Sequence, residues 1–281
     1  MEKIINGTKK PLHGYFLKNL KKIFFLVGLP RAGNTLLGSV LNQNPNVALT
    51  ANSITADILY NLFTIKNLGI FKNYPDYKSF NNVAHHVFDM YYKDWNCKYI
   101  IDRSPWGTPD NLKILKETQK DIKIIVLVRD IIEILASFIR WSHNRNDTFI
   151  SRYNVKTIEE KCDKLMRVNH VIAKSLQAIE HLFLPENKDL CHLVEYNDLV
   201  EHPKKTIEQI YDFLEIPKFK HHYVNLSQFK INGIKYNDTF LGEGLHTIKT
   251  SNISKSDYNT YSIIPKITVE KYKHLNRIWN K

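Results

Sequence analysis

The sequence predicts an α/β fold in three layers, with a mostly parallel central sheet flanked by helices. Two observations carry this prediction. Short apolar runs of strand length alternate along the chain with segments that have helical character. The first of these runs, residues 23–27, passes through a glycine-containing turn directly into the start of a helix. A chain of 281 residues is long enough to bury the core of one such domain.

Each predicted element rests on its local pattern. The strands are rich in apolar or β-branched residues and are predicted at 23–27, 98–101, 122–128 and 191–195. The helices show helical spacing of apolar residues or begin at a proline, and are predicted at 33–43, 55–63, 83–94, 131–141, 156–183, 203–214 and 267–279. Residues 71–80 are expected to be irregular. Residues 1–281 are predicted to form a single domain, with a basic leader at 1–22 and a long polar loop at 219–262 over the site.

The turn after the first predicted strand has the spacing of a phosphate-binding loop, or P-loop. Gly28, Gly33 and Thr35 match the pattern G-x-x-x-x-G-K-[ST]. Asn34 stands at the lysine position, and Arg31 supplies a cation earlier in the loop. The first N–H groups of a helix have no partner within the helix, and the helix dipole adds partial positive charge there. The loop is therefore predicted to hold a phosphate group.

Arginines follow three of the predicted strands, at Arg31, Arg103 and Arg129. Ligands of open α/β sheets bind beyond the carboxyl ends of the strands. This arrangement indicates a ligand with several anionic groups. Ser137 follows Arg129 by two helical turns, so that the guanidinium and the hydroxyl could hold a second phosphate together.

The net charge and the cysteines of the chain indicate which partners and which compartment to expect. The formal net charge of +12 suits an anionic ligand, a nucleic acid or a membrane surface. The sequence contains no RNP-like, zinc-finger or basic-helix pattern that would favour nucleic acid. No signal peptide or membrane-spanning run is recognised. Cys97, Cys162 and Cys191 lack metal-binding spacing, which predicts free thiols and a cytoplasmic location.

Taken together, four motifs resemble those of the sulfotransferases that use 3′-phosphoadenosine 5′-phosphosulfate (PAPS), especially the tyrosylprotein and bacterial-type branch. Residues 28–37, GLPRAGNTLL, resemble the 5′-phosphosulfate loop of that family. Arg129 with Ser137 resembles its 3′-phosphate motif. Residues 194–203, VEYNDLVEHP, are similar to the family segment Y-E-D-L-v-e-x-P, and residues 254–255 are similar to a serine-lysine pair of the tyrosylprotein branch. The motifs occur in the family's order.

The resemblance implies the transfer of a sulfuryl group from PAPS to a hydroxyl or amine, with PAP as the product. The acceptor would be a small molecule, a saccharide or a peptide. The residues implied to hold the 5′-phosphosulfate are Arg31, Ala32, Gly33, Asn34 and Thr35. Arg129 and Ser137 are implied to hold the 3′-phosphate, while Tyr196, Ser254 and Lys255 would contact the nucleoside.

Two arginines are expected to act on the reacting group. Arg103 falls where related enzymes place a lysine that faces the sulfuryl group, and Arg31 lies in the loop itself. Both would stabilise the charge that develops on the oxygen bridging to the leaving phosphate. Arginines in that role make a metal ion unnecessary, and the sequence offers no acidic metal site, so none is predicted.

The catalytic base is where this chain departs from the family. The tyrosylprotein branch has a glutamate about twenty residues after the loop arginine, whereas this chain has Asn52, which cannot take a proton at neutral pH. Cytosolic members use a histidine just after the second strand end, where this chain has Trp106 or Gly107. Asp57 and His246 remain as candidates. Weaker ones are Asp102, His143 and Glu243.

Two other functions remain open at this stage. One is a P-loop kinase or another phosphotransferase, although Asn34 in place of lysine and the lack of an acidic magnesium-binding strand oppose it. The other is a nucleotide-binding protein without catalytic activity.

Overall fold

The structure is a computed structural model that describes residues 21–168, 170–255 and 258–280. The strands are β1 Lys22–Gly28, β2 Val47–Leu49, β3 Tyr99–Arg103, β4 Ile124–Val128, β5 Cys191–Glu195, β6 Lys230–Ile231 and β7 Ile234–Lys235. The helices are α1 Asn34–Leu41, α2 Thr55–Thr64, α3 Gly69–Asn73, α4 Tyr77–His85, α5 Val87–Tyr91, α6 Pro109–Thr118, α7 Ile131–Ser142, α8 Ile158–Leu165, α9 Val171–Leu182, α10 Tyr196–Glu201, α11 Pro203–Leu214, α12 Thr260–Ile263 and α13 Lys266–Tyr272.

A parallel sheet of five strands organises the described residues. Its strand order is β2-β3-β1-β4-β5, and every pairing is parallel. All five residues of β4 are buried, and so are the central five of β1, as expected for strands covered on both faces. The predicted class, a mostly parallel sheet flanked by helices, is confirmed. The parallel order brings the carboxyl ends of β1, β3 and β4 to one edge.

Several element boundaries differ from the sequence-based expectation. The predicted helix at 156–183 is two helices, α8 and α9. The first starts at a capping box in which Thr157 and Glu160 exchange hydrogen bonds. The segment 71–80, predicted to be irregular, contains most of α3 and the start of α4, which the Asp76 carboxylate caps by accepting from the Ser79 N–H. The prediction for 71–80 was therefore wrong, because short capped helices leave little periodicity to detect.

Further elements were missing from the prediction, including the β6–β7 hairpin inside the predicted loop 219–262 and the short helix α12. β2 has only three residues, too few for a visible strand pattern. α6 follows Thr108 with proline at its first turn, which is a recognised start signal. α10 is a single short helix directly after β5. Most of the predicted leader, residues 1–20, lies outside the described residues. In the part of the chain that is described, no helix is long and apolar enough to cross a bilayer.

Candidate functional site

The P-loop lies between β1 and α1, where the sequence predicted it. Its backbone is unusual at two residues: Arg31 has φ of 61° and Gly33 has φ of 94°, both in the left-handed region. A side chain at Gly33 would also lie close to the Tyr196 ring, since an added Cβ would be 3.1 Å from Cδ2. Glycine thus permits both the tight turn and the close approach of Tyr196.

Asn34 supports the loop from inside. Its Nδ2 donates a hydrogen bond of 2.7 Å to the Leu29 carbonyl oxygen, and the residue is buried. Its Oδ1 atom is buried without a hydrogen-bond partner among the described residues. With its amide nitrogen used in this way, Asn34 shapes the turn, and its backbone N–H at the start of α1 is the group suited to an anion.

Two arginines meet beyond the ends of β1 and β4, where Arg129 is buried and Arg31 is partly exposed. Arg129 donates from Nη1 to the Arg31 carbonyl oxygen at 3.0 Å and from Nε to Glu133 Oε2 at 2.9 Å. Arg31 donates from Nε to Ser137 Oγ at 3.0 Å, and its Nη1 donates to the Leu245 carbonyl oxygen. The P-loop, the helix after β4 and the late loop 219–262 are therefore joined through Arg31.

The positive charges of Arg31 and Arg129 lie close together and are poorly solvated. Burial, and then the nearby charge of Arg129, lower the pKa of Arg31 from 12.5. Arginine nevertheless remains charged in proteins, so two like charges lie close together in a desolvated place. The Tyr196 ring lies 4.0 Å from the Arg129 guanidinium and offers a cation–π contact. An anion between the two arginines would relieve this repulsion.

The end of β3 supplies Arg103 and anchors it firmly. The Arg103 guanidinium donates from Nη1 to the Ala51 carbonyl oxygen at 3.1 Å and to the Tyr236 hydroxyl at 3.2 Å. Its backbone N–H donates to Thr50 Oγ1 at 2.8 Å. These bonds hold the side chain beside the cavity described below, in reach of the late loop.

Asp102, the residue before Arg103, is held in a buried network of hydrogen bonds and has a structural role. Its carboxylate is fully buried and accepts hydrogen bonds from Thr55 Oγ1 at 2.6 Å, from Trp106 Nε1 at 2.9 Å and from the Tyr92 hydroxyl. Burial raises the pKa of Asp102 against the opposing effect of these hydrogen bonds. The network ties the end of β3 to α2 and to the turn before α6.

His246 lies in the late loop within a small polar cluster. Its Nδ1 is 2.5 Å from Asp238 Oδ1, and its backbone N–H donates to Asp238 Oδ2 at 3.0 Å. Its ring stacks on Tyr236, with the ring centroids 3.8 Å apart and the planes 3° from parallel. Burial lowers the pKa of His246, and the charges of Arg103 and Arg31 add to this, although Asp238 opposes the shift.

One cavity of about 550 Å³ collects these groups. Its polar and charged lining consists of Arg31, Asn34, Thr35, Asn52, Arg103, Arg129, Ser137, His170, Tyr196, His246, Thr247, Lys249, Asn252 and Ser254. Its apolar lining includes Phe138, Phe149, Val171, Leu241, Leu245, Ile248 and Ile253. No aspartate or glutamate is among the residues that line it, within the part of the chain that the structure describes. Such a cavity is electrostatically suited to a ligand with several negative charges.

Most of the sequence-predicted site residues come together here, but not all of them. Ala32 is buried and donates its N–H to the Leu29 carbonyl oxygen at 3.2 Å. Lys255 pairs with Glu201 at 3.7 Å and does not line the cavity, whereas its neighbour Ser254 does. Asp57 is exposed and lies at a separate, mainly apolar depression. The structure therefore does not bring Asp57 together with the arginines.

The site also includes residues that no sequence motif indicated. Tyr236 and Asp238 do not line the cavity themselves but contact His246, which does. They precede His246 in a loop that has no periodicity, so no spacing pattern could reveal these contacts. Lys249 and Thr247 belong to the same loop. Among the described residues, no group of three or more His, Cys, Asp or Glu side chains could hold a metal ion.

Comparison with known proteins identifies the class. The model of the sulfotransferase family matches residues 24–221, and the chain belongs to that family. No curated protein sequence matches the chain. Its fold is similar to that of the sulfotransferase domain from the curacin biosynthetic pathway, with a TM-score of 0.50 at 18% identity over 93% of this chain and 97% of that one.

A second structural neighbour is mouse sulfotransferase SULT7A1 complexed with PAP. It has a TM-score of 0.52 at 12% identity, and the match covers 91% of this chain and 83% of the mouse chain. At these identities the two structures show a shared fold. The family match spans the P-loop, Arg103, Arg129, Ser137 and Tyr196.

Proposed function

We propose that this sulfotransferase uses PAPS as its donor and transfers the sulfuryl group to a hydroxyl or amine, releasing PAP. The observation that carries the proposal is the meeting of Arg31, Arg103 and Arg129 in one cavity, where no carboxylate lines the described surface. PAPS has negative charge at two ends, on the 5′-phosphosulfate and on the 3′-phosphate. The mouse neighbour with PAP bound supports the same choice of nucleotide.

Each charged part of PAPS can be assigned to protein groups that would hold it. The backbone N–H groups at the start of α1, together with Arg31 and the Thr35 hydroxyl, would hold the 5′-phosphosulfate. Arg129 and Ser137, both buried at the same edge of the sheet, would hold the 3′-phosphate. Tyr196 packs against Arg129 and would lie near the nucleoside.

The late loop is proposed to contact the nucleoside through Ser254 and Lys255. Ser254 lines the cavity and is suited to contact the donor directly. Lys255 forms an ion pair with Glu201 at 3.7 Å, and both side chains are about half exposed. Its proposed part is to close over the nucleotide, which requires this exposed and therefore weak ion pair to open.

The residues of the site can then carry out an in-line transfer. Arg31 and Arg103 stabilise the negative charge that builds on the oxygen between sulfur and the 5′-phosphate, more in the transition state than in the ground state. His246 takes the proton of the acceptor as the new bond to sulfur forms. The lowered pKa of His246 keeps its imidazole neutral, and so able to accept a proton, at pH 7.

His246 is the proposed base because it lies with the arginines. Asp57 lies outside the cavity, and Asp102 is fully buried and accepts three hydrogen bonds. His143 and Glu243 do not line the described cavity. His246 is the one predicted candidate that lines the described cavity, which supports its choice as the base.

The apolar part of the cavity favours an acceptor that carries an apolar or aromatic portion next to its hydroxyl or amine. Phe138, Phe149, Val171 and Leu241 line this part. Small-molecule, saccharide and peptide acceptors can all present such groups, so a screen with labelled donor has to include each of these classes.

We also propose a reducing compartment, such as the cytoplasm. The three cysteines are free thiols. Burial raises the pKa of both Cys162 and Cys191 to about 12, so both are unreactive thiols with structural roles.

A direct binding comparison tests the function. Calorimetric titration with PAP, and separately with ATP and Mg²⁺, should give tight binding of PAP and weak binding of ATP. Transfer of labelled sulfate from PAPS to an acceptor would establish the activity. Preference for ATP with Mg²⁺ would instead indicate a phosphotransferase, and PAP binding without any transfer over a broad acceptor screen would indicate a nucleotide-binding protein without catalytic activity.

A further inference from the structure

We infer that Asp238 is the positioning residue of His246, and that Tyr236 is the platform that fixes this pair beside Arg103. The inference rests on the proposed sulfuryl transfer. It assigns roles to two late-loop residues, and it explains how a chain with Asn52 in place of the expected glutamate can still remove a proton.

The contacts of Asp238 specify one arrangement of His246. One carboxylate oxygen, Oδ1, is 2.5 Å from Nδ1 of the ring, and the other, Oδ2, accepts the backbone N–H of His246 at 3.0 Å. Because a carboxylate only accepts hydrogen bonds, the Nδ1 atom must carry the proton. The Nε2 atom is then the unprotonated nitrogen. Both side chains of the pair are largely buried, with 16% and 14% exposed.

Tyr236 fixes the plane of the imidazole and links it to an arginine. Its ring stacks on His246 at 3.8 Å, and its hydroxyl accepts a hydrogen bond from Arg103 Nη1 at 3.2 Å. Arg31, in turn, donates to the carbonyl oxygen of Leu245, the residue just before His246. The proposed base is thus tied to both arginines that are proposed to act on the sulfuryl group. This arrangement restricts the movement of the imidazole relative to Arg31 and Arg103.

The proton-transfer step balances in simple terms. The acceptor oxygen or nitrogen forms its bond to sulfur while its proton moves to Nε2 of His246. The bond between sulfur and the bridging oxygen breaks, and its electron pair stays on the 5′-phosphate of PAP. The imidazolium formed is stabilised by Asp238 and returns its proton to solvent after product release.

The test compares Asp238→Asn with Asp147→Asn. Asp147 is a matched control because its carboxylate also holds the late loop, accepting from the Glu243 N–H at 3.3 Å, but does not bond His246 in the structure. For Asp238→Asn, kcat should fall by roughly 10- to 100-fold, with PAP affinity within twofold of the wild type. Asp147→Asn should keep both. Equal kcat in the two variants would overturn the inference.

The pH profile gives a readout that a merely structural role would not move. Asp238 raises the pKa of His246, whereas burial and the charges of Arg103 and Arg31 lower it. Loss of Asp238 therefore lowers this pKa further. The acidic limb of the kcat profile should move to lower pH in Asp238→Asn and stay in place in Asp147→Asn. An unmoved limb in Asp238→Asn would count against the role.

A measurement on the wild-type protein covers the case in which Asp238→Asn fails to fold. Nitrogen-15 NMR of labelled histidine, with His246 assigned by comparison with His246→Gln, reports which ring nitrogen carries the proton. A proton on Nδ1 supports the inference, and a proton on Nε2 overturns it even where sulfuryl transfer is intact. Failure of the wild type to bind PAP would overturn the proposed function itself.

Discussion

Arg129 is the residue whose loss should weaken donor binding most. Its bonds to Glu133 and to the Arg31 carbonyl oxygen use two of the five N–H groups of a guanidinium. Arg129→Ala should weaken PAP binding roughly 10- to 100-fold, as expected for the loss of about 1.5–3 kcal/mol of charge-assisted hydrogen bonding. Calorimetry measures this. Arg277→Ala, which removes the same charge at an exposed position, should bind PAP like the wild type. If both variants lost the same PAP affinity, the effect would come from the net charge of the protein and not from a contact of Arg129 with the ligand.

Arg103 should separate catalysis from binding. It is held at the end of β3 by Ala51 and Tyr236, beside the P-loop. Because it is proposed to act on charge that develops only in the transition state, Arg103→Ala should lower kcat by about 100-fold while PAP affinity changes little. Steady-state kinetics together with a PAP titration distinguish the two. A rise in KM for the donor at constant kcat would instead assign Arg103 to ground-state binding.

At the scale of elements, the late loop is the part of the site that depends most on distant contacts. Leu241 O accepts the Phe149 N–H at 2.9 Å, and Trp141 Nε1 donates to Glu243 O at 3.2 Å. Gly242 between them has φ of 121°, and an added Cβ would lie 2.9 Å from both Thr148 Cα and the Trp141 ring. The loop can therefore approach α7 only with glycine at this position.

Gly242→Ala should displace the late loop and with it His246. We expect kcat to fall at least tenfold and the free energy of unfolding to drop by about 1–3 kcal/mol, measured by kinetics and by urea denaturation. Gly233→Ala is the matched control. Gly233 also has a positive φ, of 78°, but an added Cβ there would have nothing within 4 Å. If both variants lost activity equally, backbone strain alone would explain the effect and the docking contact would not be needed.

The same scale shows what the sequence could predict. Arg31, Arg103 and Arg129 were placed correctly at strand ends, because a buried strand followed by a turn is a local pattern and parallel strands bring their ends to one edge. The contact of Asp238 with His246 could not be predicted. It depends on how an aperiodic loop folds back over β1 and β3, and no local spacing records that path. Asp57 was proposed from its distance along the chain, but the direction in which α2 presents it leaves it outside the cavity.

At the scale of the whole molecule, the cavity is a concentration of positive charge that the fold holds together. Arg31, which is partly exposed, lies beside the buried Arg129, and the repulsion between the two charges opposes folding. A polyanion that bridges them binds the folded chain only, so that it both relieves the repulsion and stabilises the protein by linkage. The global stability of the chain should therefore report on the chemistry of the ligand.

PAP should raise the melting temperature by roughly 5–10 °C at a hundredfold excess over its Kd, from about 2.7 kcal/mol of linkage and 2–4 °C per kcal/mol for a domain of this size. The shift in melting temperature should become smaller as the salt concentration rises, since both phosphates are bound through charge interactions that salt screens. Adenosine 5′-phosphate, which lacks the 3′-phosphate, should give a much smaller shift at equal concentration, and Arg129→Ala should abolish the difference between the two nucleotides. Equal shifts from both nucleotides in the wild type would mean that Arg129 and Ser137 hold no phosphate, because only that pair is proposed to distinguish one nucleotide from the other.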